Sequence, residues 1–191
     1  VPVKGIFKYM VSPKSLPALL VALATLLLIG ASALGASASA ATENTVVSKH
    51  SLETSRQLWA TIDVCNAKDQ PDTVGIRGSM PGDGQPHETM YMSFRLQYLD
   101  SATKAWVDLA NGAAPTFVAV GPAKAARQAG RSFQLVPVAG KPASTLRGVV
   151  SFQWRRGTTV VHAISRPSTD GHESLAGADP AGFSAATCLI G

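Results

Sequence analysis

The densest run of potential ligands in this 191-residue chain is His87-Glu88-Thr89-Met90-Tyr91-Met92. An imidazole and two thioethers this close suit Cu(I), because soft sulfur matches a soft ion. Met80, across the neighbouring loop, is the one further ligand within reach. Used this way, His87, Met90 and Met92 would make an extracytoplasmic copper-binding protein. The same residues have a simpler use. Met90, Met92, Phe94, Leu96 and Tyr98 occupy alternate positions, with Ser93, Arg95 and Gln97 between them. A period of two buries one face of a strand and wets the other. On that reading Met90 and Met92 fill a core, and His87 sits in a loop at the strand's edge.

Two cysteines, Cys65 and Cys188, form an even set, which in an oxidising compartment predicts a disulfide. It would tie an early strand to the last one and stabilise the fold by about 4–5 kcal/mol through loop closure. Two free buried thiols are the alternative. His172 is the one histidine near either cysteine, so no zinc site is expected on this pair. Asp170, His172, Glu173 and Asp179 offer ligands to Ca²⁺, but their spacing lacks the alternating acids of an ion-wrapping loop, and a solvated turn is expected. Neither a Gly-x-Ser-x-Gly elbow nor a His-Glu-x-x-His helix is present. His162 alternates with Val160 and Ile164 as a strand residue. Ser174, His172 and Asp170 lie too close together in one loop to act as nucleophile, base and orienter. No catalytic residue and no cofactor are therefore assigned, and the chain is not expected to be an enzyme.

Binding is the remaining class. Trp106 follows a polar turn on a short strand, and Trp59 faces away from the side that carries Ile62 and Val64. Either ring can stack on a sugar or fill a core. The loops Met80–Glu88 (MPGDGQPHE) and Ser168–Gly182 (STDGHESLAGADPAG) are candidate carriers of specificity. Arg77, Arg95 and Arg155, on wet strand faces, either meet an anionic polymer or serve solubility.

The elements that must position these residues begin with an export signal. Lys4, Lys8 and Lys14 precede the apolar run Leu16–Gly30, and the small-residue tail Ala31–Ala41 follows. Cationic, apolar and small, in that order, predict a signal peptide over residues 1–40, with Ala38 and Ala40 fitting the cleavage rule. Kept instead, Leu16–Leu34 approaches the roughly 20 residues that span a bilayer, so membrane attachment depends on retention. No cysteine marks a lipidated N-terminus, and no Arg-Arg pair marks the twin-arginine route. Val1, read as a literal start codon, points to a bacterial producer. The chain carries a net +5, but setting aside the leader's three lysines leaves 14 Lys/Arg against 12 Asp/Glu, a net +2. With Arg155-Arg156 the one basic doublet, nucleic acid is not an expected partner.

Residues 41–57 are polar and patternless, as a flexible lead-in would be. From 58 to 191 short β-like runs alternate with turns: Leu58–Asn66, Thr73–Ser79, Thr89–Asp100, Ala105–Leu109, Phe117–Val120, Ser132–Val138, Arg147–Trp154, Thr158–Ser165 and Ser184–Ile190. Cys65 and Trp59 fall on the face opposite Ile62, so the first run is either covered on both sides or bulged. Pro137 points to an edge strand, and Arg155-Arg156-Gly157 to a hairpin loop. Ala123–Ala129 (AKAARQA) is the one helical candidate. About eight strands at this spacing predict an all-β antiparallel sandwich, with a closed barrel as the alternative.

The stretches WATIDVCN, DTVGIRGSMPG and RGVVSFQWRRG resemble uncharacterised exported bacterial proteins with an immunoglobulin-like β-sandwich domain. The resemblance covers most of 58–190 and implies that fold. It departs from antibody domains, where the Trp lies between the cysteines soon after the first and a Tyr stands two before the second. Here Trp154 comes late and Ala186 holds the second position, so the bridge need not be an inter-sheet pin. No active site is carried over. The expected product is a secreted or cell-envelope interaction module whose partner is an extracellular protein or a glycan, with a carbohydrate-binding module among the alternatives.

Overall fold

The computed structural model describes residues 48–109, 116–172 and 177–191, so the expected export signal lies outside the described residues. Among the described residues nine strands form two antiparallel sheets: β1 (Trp59–Ala67), β2 (Gln70–Met80), β3 (Thr89–Leu99), β4 (Trp106–Asp108), β5 (Val118–Pro122), β6 (Arg127–Gln134), β7 (Ser144–Arg156), β8 (Thr159–Pro167) and β9 (Cys188–Ile190). One sheet has the order β1-β2-β6. The other runs β4-β3-β7-β8, with β5 also on β3 and β9 also on β7. The protein is all-β, and its strands make two separate ladders rather than one closed ring.

The alternation in β3 places Met90, Met92, Phe94 and Leu96 in the core, opposite Trp154, Phe152, Val150 and Gly148 of β7. Ala60, Ile62, Val74, Ile76 and Met80 form the facing layer. Glycines set the approach of the two sheets. A Cβ on Gly78 would lie 2.9 Å from Val150 Cγ1 and 3.1 Å from Phe152 Cε1, and one on Gly148 would lie 2.9 Å from Ile76 Cγ2. Side chains on each sheet occupy the space those glycines leave on the other, which is close packing by shape.

Cys65 in β1 is bonded to Cys188 in β9, with the Cα atoms 5.5 Å apart. The two strands belong to different sheets, so the bridge pins one sheet to the other. The expected bulge is present, with register shifts between Ile62 and Val64 and between Cys65 and Ala67. Both faces of β1 are also covered. The stretch before β9 lies along its edge, where Ile62 N–H donates to the Ala185 carbonyl at 2.9 Å and Ala185 N–H donates back at 3.0 Å. Thr61 Oγ1 meets Ser184 Oγ at 2.7 Å.

The β7–β8 hairpin turns at Gly157, whose φ of +59° is the left-handed conformation expected of it. Three expectations need correction. Arg127–Gln134 is a strand, pairing residue for residue with β2 from Arg127↔Met80 to Gln134↔Thr73. The helical reading of Ala123–Ala129 and the strand bounds Ser132–Val138 both give way to that ladder. Within the lead-in, Lys49–Glu53 forms a short helix, α1, capped by Ser48 and anchored by the buried Leu52.

Because Gly78 has no room for a methyl group, Gly78→Ala should lower the stability of the domain by about 1–3 kcal/mol. A urea midpoint unchanged from that of the parent chain would contradict the close approach at this point.

Candidate functional site

The two sheets differ in what covers their outer faces. Over β1 and β2 the outward residues are buried: Thr61, Asp63 and Ser79 have little exposure. Arg77 lies among them, its Nε donating to Asp63 Oδ2 at 2.7 Å. Burial raises the Asp63 carboxyl above its ordinary value, while the bond and charge of Arg77 pull it down. Arg77 is thus not on a wet face, as its alternation implies, because Asp179 and Ala185 bond to β1 beside it. Trp59 belongs to this layer. Its ring stacks on His172 with centroids 4.9 Å apart and planes 7° from parallel. Burial holds the His172 imidazole below its ordinary value.

The outer face of the six-stranded sheet carries two aromatic–arginine clusters with hydroxyls between them. In the first, the Arg147 guanidinium lies 4.4 Å from the centroid of the half-buried Trp106 ring. Arg147 Nε donates to Gln97 Oε1 at 2.8 Å, and Gln97 Nε2 donates to Asp108 Oδ1 at 2.7 Å. Arg95 approaches the same carboxylate at 3.5 Å. Arg95 thus faces the Asp108 carboxylate directly and Arg147 is linked to it through Gln97, and the buried Arg95 Nε has no hydrogen-bond partner among the described residues. Burial and the charge of Arg95 both lower the Arg147 pKa, with Asp108 opposing.

In the second cluster Arg155 lies 4.3 Å from the Tyr91 centroid and 4.9 Å from that of Phe117, and it donates to Gln153 at 2.8 Å. Arg147 and Arg155 stand eight residues apart on β7, about 25 Å along a strand. Ser93 and Ser151 pair between the clusters, with Ser165 bonded to Ser151 at 2.8 Å. The result is two clusters of rings and cations with a surplus of positive charge, with Ser151 and Ser165 between them and Ser93 and Val149 buried beneath. Of the residues singled out from sequence, they include Trp106, Arg95 and Arg155. Arg147, Gln97 and Asp108 were missed because each is unremarkable until the β4-β3-β7 register places them side by side.

The soft-ligand run is divided by the fold. Met90 and Met92 are fully buried and join the core with Met80, while His87 is exposed in the loop before β3. Among the described residues no three His, Cys, Asp or Glu side chains come together as a metal site. Of the Ca²⁺ candidates, Asp179 accepts from Gln70 Nε2 at 3.0 Å, and Glu173 lies outside the described residues. Ser174 lies outside them too.

The loop between β2 and β3 holds a pair that the sequence does not announce. Asp83 and Glu88 are each 2% exposed. Trp154 Nε1 anchors the loop by donating to the Pro81 carbonyl at 3.1 Å, and Ala123 bonds it twice, accepting from Gly84 N–H and donating to the Glu88 carbonyl. Arg156 donates to Glu88 Oε1 at 2.8 Å, while Asp83 Oδ1 accepts from Gln85 N–H. The remaining oxygens, Asp83 Oδ2 and Glu88 Oε2, are buried without a hydrogen-bond partner among the described residues. A buried carboxyl beside another carboxylate keeps its proton more readily than one in water. Burial first, then the neighbouring Glu88 carboxyl, pushes Asp83 up to about 6, with Gln85 N–H and nearby His162 opposing.

The raised value fixes the direction of a pH effect. Well below the ordinary carboxyl value of 3.8 both folded and unfolded chains carry the proton, and the contribution of the protonated Asp83 is fully present. It is lost as pH rises through about 6, where the folded chain gives the proton up. The thermal midpoint should therefore show a downward step between pH 4 and about 7, and Asp83→Asn should remove that step. A step of the same size in the variant would assign it to other groups.

Compared with known proteins, the chain matches no family model, and no curated protein matches it.

Proposed function

We propose that this chain is an exported, non-enzymatic binding module with an immunoglobulin-like sandwich fold, which holds an acidic glycan of a bacterial cell envelope on the outer face of its larger sheet. The observation that carries the reading is the Trp106–Arg147–Gln97–Asp108–Arg95 network on the outer face of the larger sheet. Sugar rings stack on aromatic faces, and guanidiniums recognise carboxylate or phosphate substituents through paired donors. Mutual bonding holds these side chains in place before a ligand arrives, which lowers the entropy cost of binding. Two such clusters about 25 Å apart along one strand direction suit a linear polymer rather than a single sugar.

Export is supported by the cationic, apolar and small order of residues 1–40 and by the Cys65–Cys188 bond, which fits an oxidising compartment. Among the described residues no helix is long and apolar enough to cross a membrane. The bridge between sheets supports the immunoglobulin-like assignment, although Trp154 packs at the opposite end of β7 from the bridge.

Affinity electrophoresis of the domain in alginate, a carboxylated linear polysaccharide, and in neutral dextran tests the reading. The parent domain should be retarded by alginate and not by dextran, less so at high salt. Trp106→Ala and Arg147→Ala should each weaken retardation about tenfold while leaving the thermal midpoint near that of the parent. Full retardation of both variants, or no retention of the parent on alginate or on isolated envelope material, would overturn the proposal.

A further inference from the structure

At the end of the molecule that carries the disulfide, a groove of about 1000 Å³ opens between the last residues of β6 and the ends of β3 and β9. That volume lies at the top of the range of small-molecule sites. Its floor reaches the core itself, since Leu96, Leu146 and Ile190 are all core residues. Its rim is apolar as well. Val136 and Val138 are 90% and 67% exposed, on a segment outside both ladders, and Leu109 faces them partly exposed. Contiguous exposed apolar surface of this kind marks a site of interaction.

The charged groups of the groove say what kind of molecule fits. Among the described residues Arg131 and Lys141 are the only charged side chains that line it, both are exposed, and no acidic side chain lines it. Arg131 is held over the Phe133 ring at 5.2 Å, so its charge stays at the groove's edge. A site with an apolar floor, valine rims and two cations at the mouth complements a molecule with an apolar chain and one anionic head. We infer that this groove binds a single-chain anionic amphiphile of the fatty-acid class, one molecule per chain, with the carboxylate toward Arg131 and Lys141. The site shares no residue with the two aromatic–arginine clusters and stands or falls separately from them.

Titration calorimetry of the intact domain with laurate, dodecyltrimethylammonium and dodecanol, each below its micelle threshold, tests the inference. Laurate should bind saturably at one per chain, dodecanol more weakly, and the cationic amphiphile weakest. The double variant Arg131→Glu/Lys141→Glu should lose laurate affinity about tenfold or more while keeping dodecanol binding. Val138→Asp, at an exposed position, should weaken both. Near-UV circular dichroism identifies any variant that has lost its fold, and in that event the preference of the parent domain among the three amphiphiles decides the matter. Equal affinity for laurate and the cationic amphiphile, laurate binding unaffected by charge reversal in the folded variant, or uptake only above the micelle threshold would overturn it.

Discussion

Cys65 and Cys188 join strands of different sheets across 123 residues of chain, and the remaining architecture is arranged around that tie. β9 is three residues long, too short to hold the end of the chain by its ladder with β7 alone. The covalent bond fixes it there, and the stretch before it is consequently laid along β1, where Ile62 and Ala185 exchange backbone bonds. The glycines at 78 and 148 let the sheets approach between their ends, so the core is closed by packing in the middle and by a bond at one end. Trp154 secures the other end, bonding to the Pro81 carbonyl and fixing the β2–β3 loop.

The same tie decides which surfaces remain free. Wrapping the chain's last stretch over the smaller sheet consumes Arg77, Asp63, Thr61 and Trp59 in a buried polar layer. On the larger sheet Trp106, Arg147 and Gln97 stay half-exposed among the described residues and bond to one another. A similar asymmetry separates the two ends. One is sealed by the Asp83–Glu88 pair under Arg156, and the other leaves Leu146 and Ile190 at the floor of an open groove.

What was legible in the sequence follows from where the decisive interactions lie along the chain. The alternation from Met90 to Tyr98 and the Gly157 turn are local, and β3 and the β7–β8 hairpin stand where those signals put them. The even cysteine count and the expected oxidising compartment pointed to a Cys65–Cys188 bond, and the structure has it. Ala123–Ala129 shows the limit of local propensity: alanines, Lys124, Arg127 and Gln128 favour a helix, yet eight consecutive pairs with β2 outweigh that preference. Arg77 alternates like a solvated residue and is buried by a segment a hundred residues later. Trp106 could be picked out alone, but its partner Arg147 arrives from the other side of the sheet. Asp83 and Glu88 read as polar loop residues, and only the Trp154–Pro81 bond and Ala123 explain their burial.

The central claim is that the Cys65–Cys188 bond holds the two sheets in register and keeps the terminal stretch on β1. Amide hydrogen exchange on the intact and on the reduced, alkylated domain measures this directly. The account predicts that reduction speeds exchange at Ile62, Ala185 and Cys188 first, that amides within the β3–β7 ladder keep their protection longest, and that global stability falls by about 2–5 kcal/mol. Unchanged protection at Ile62 and Ala185 after reduction would contradict it.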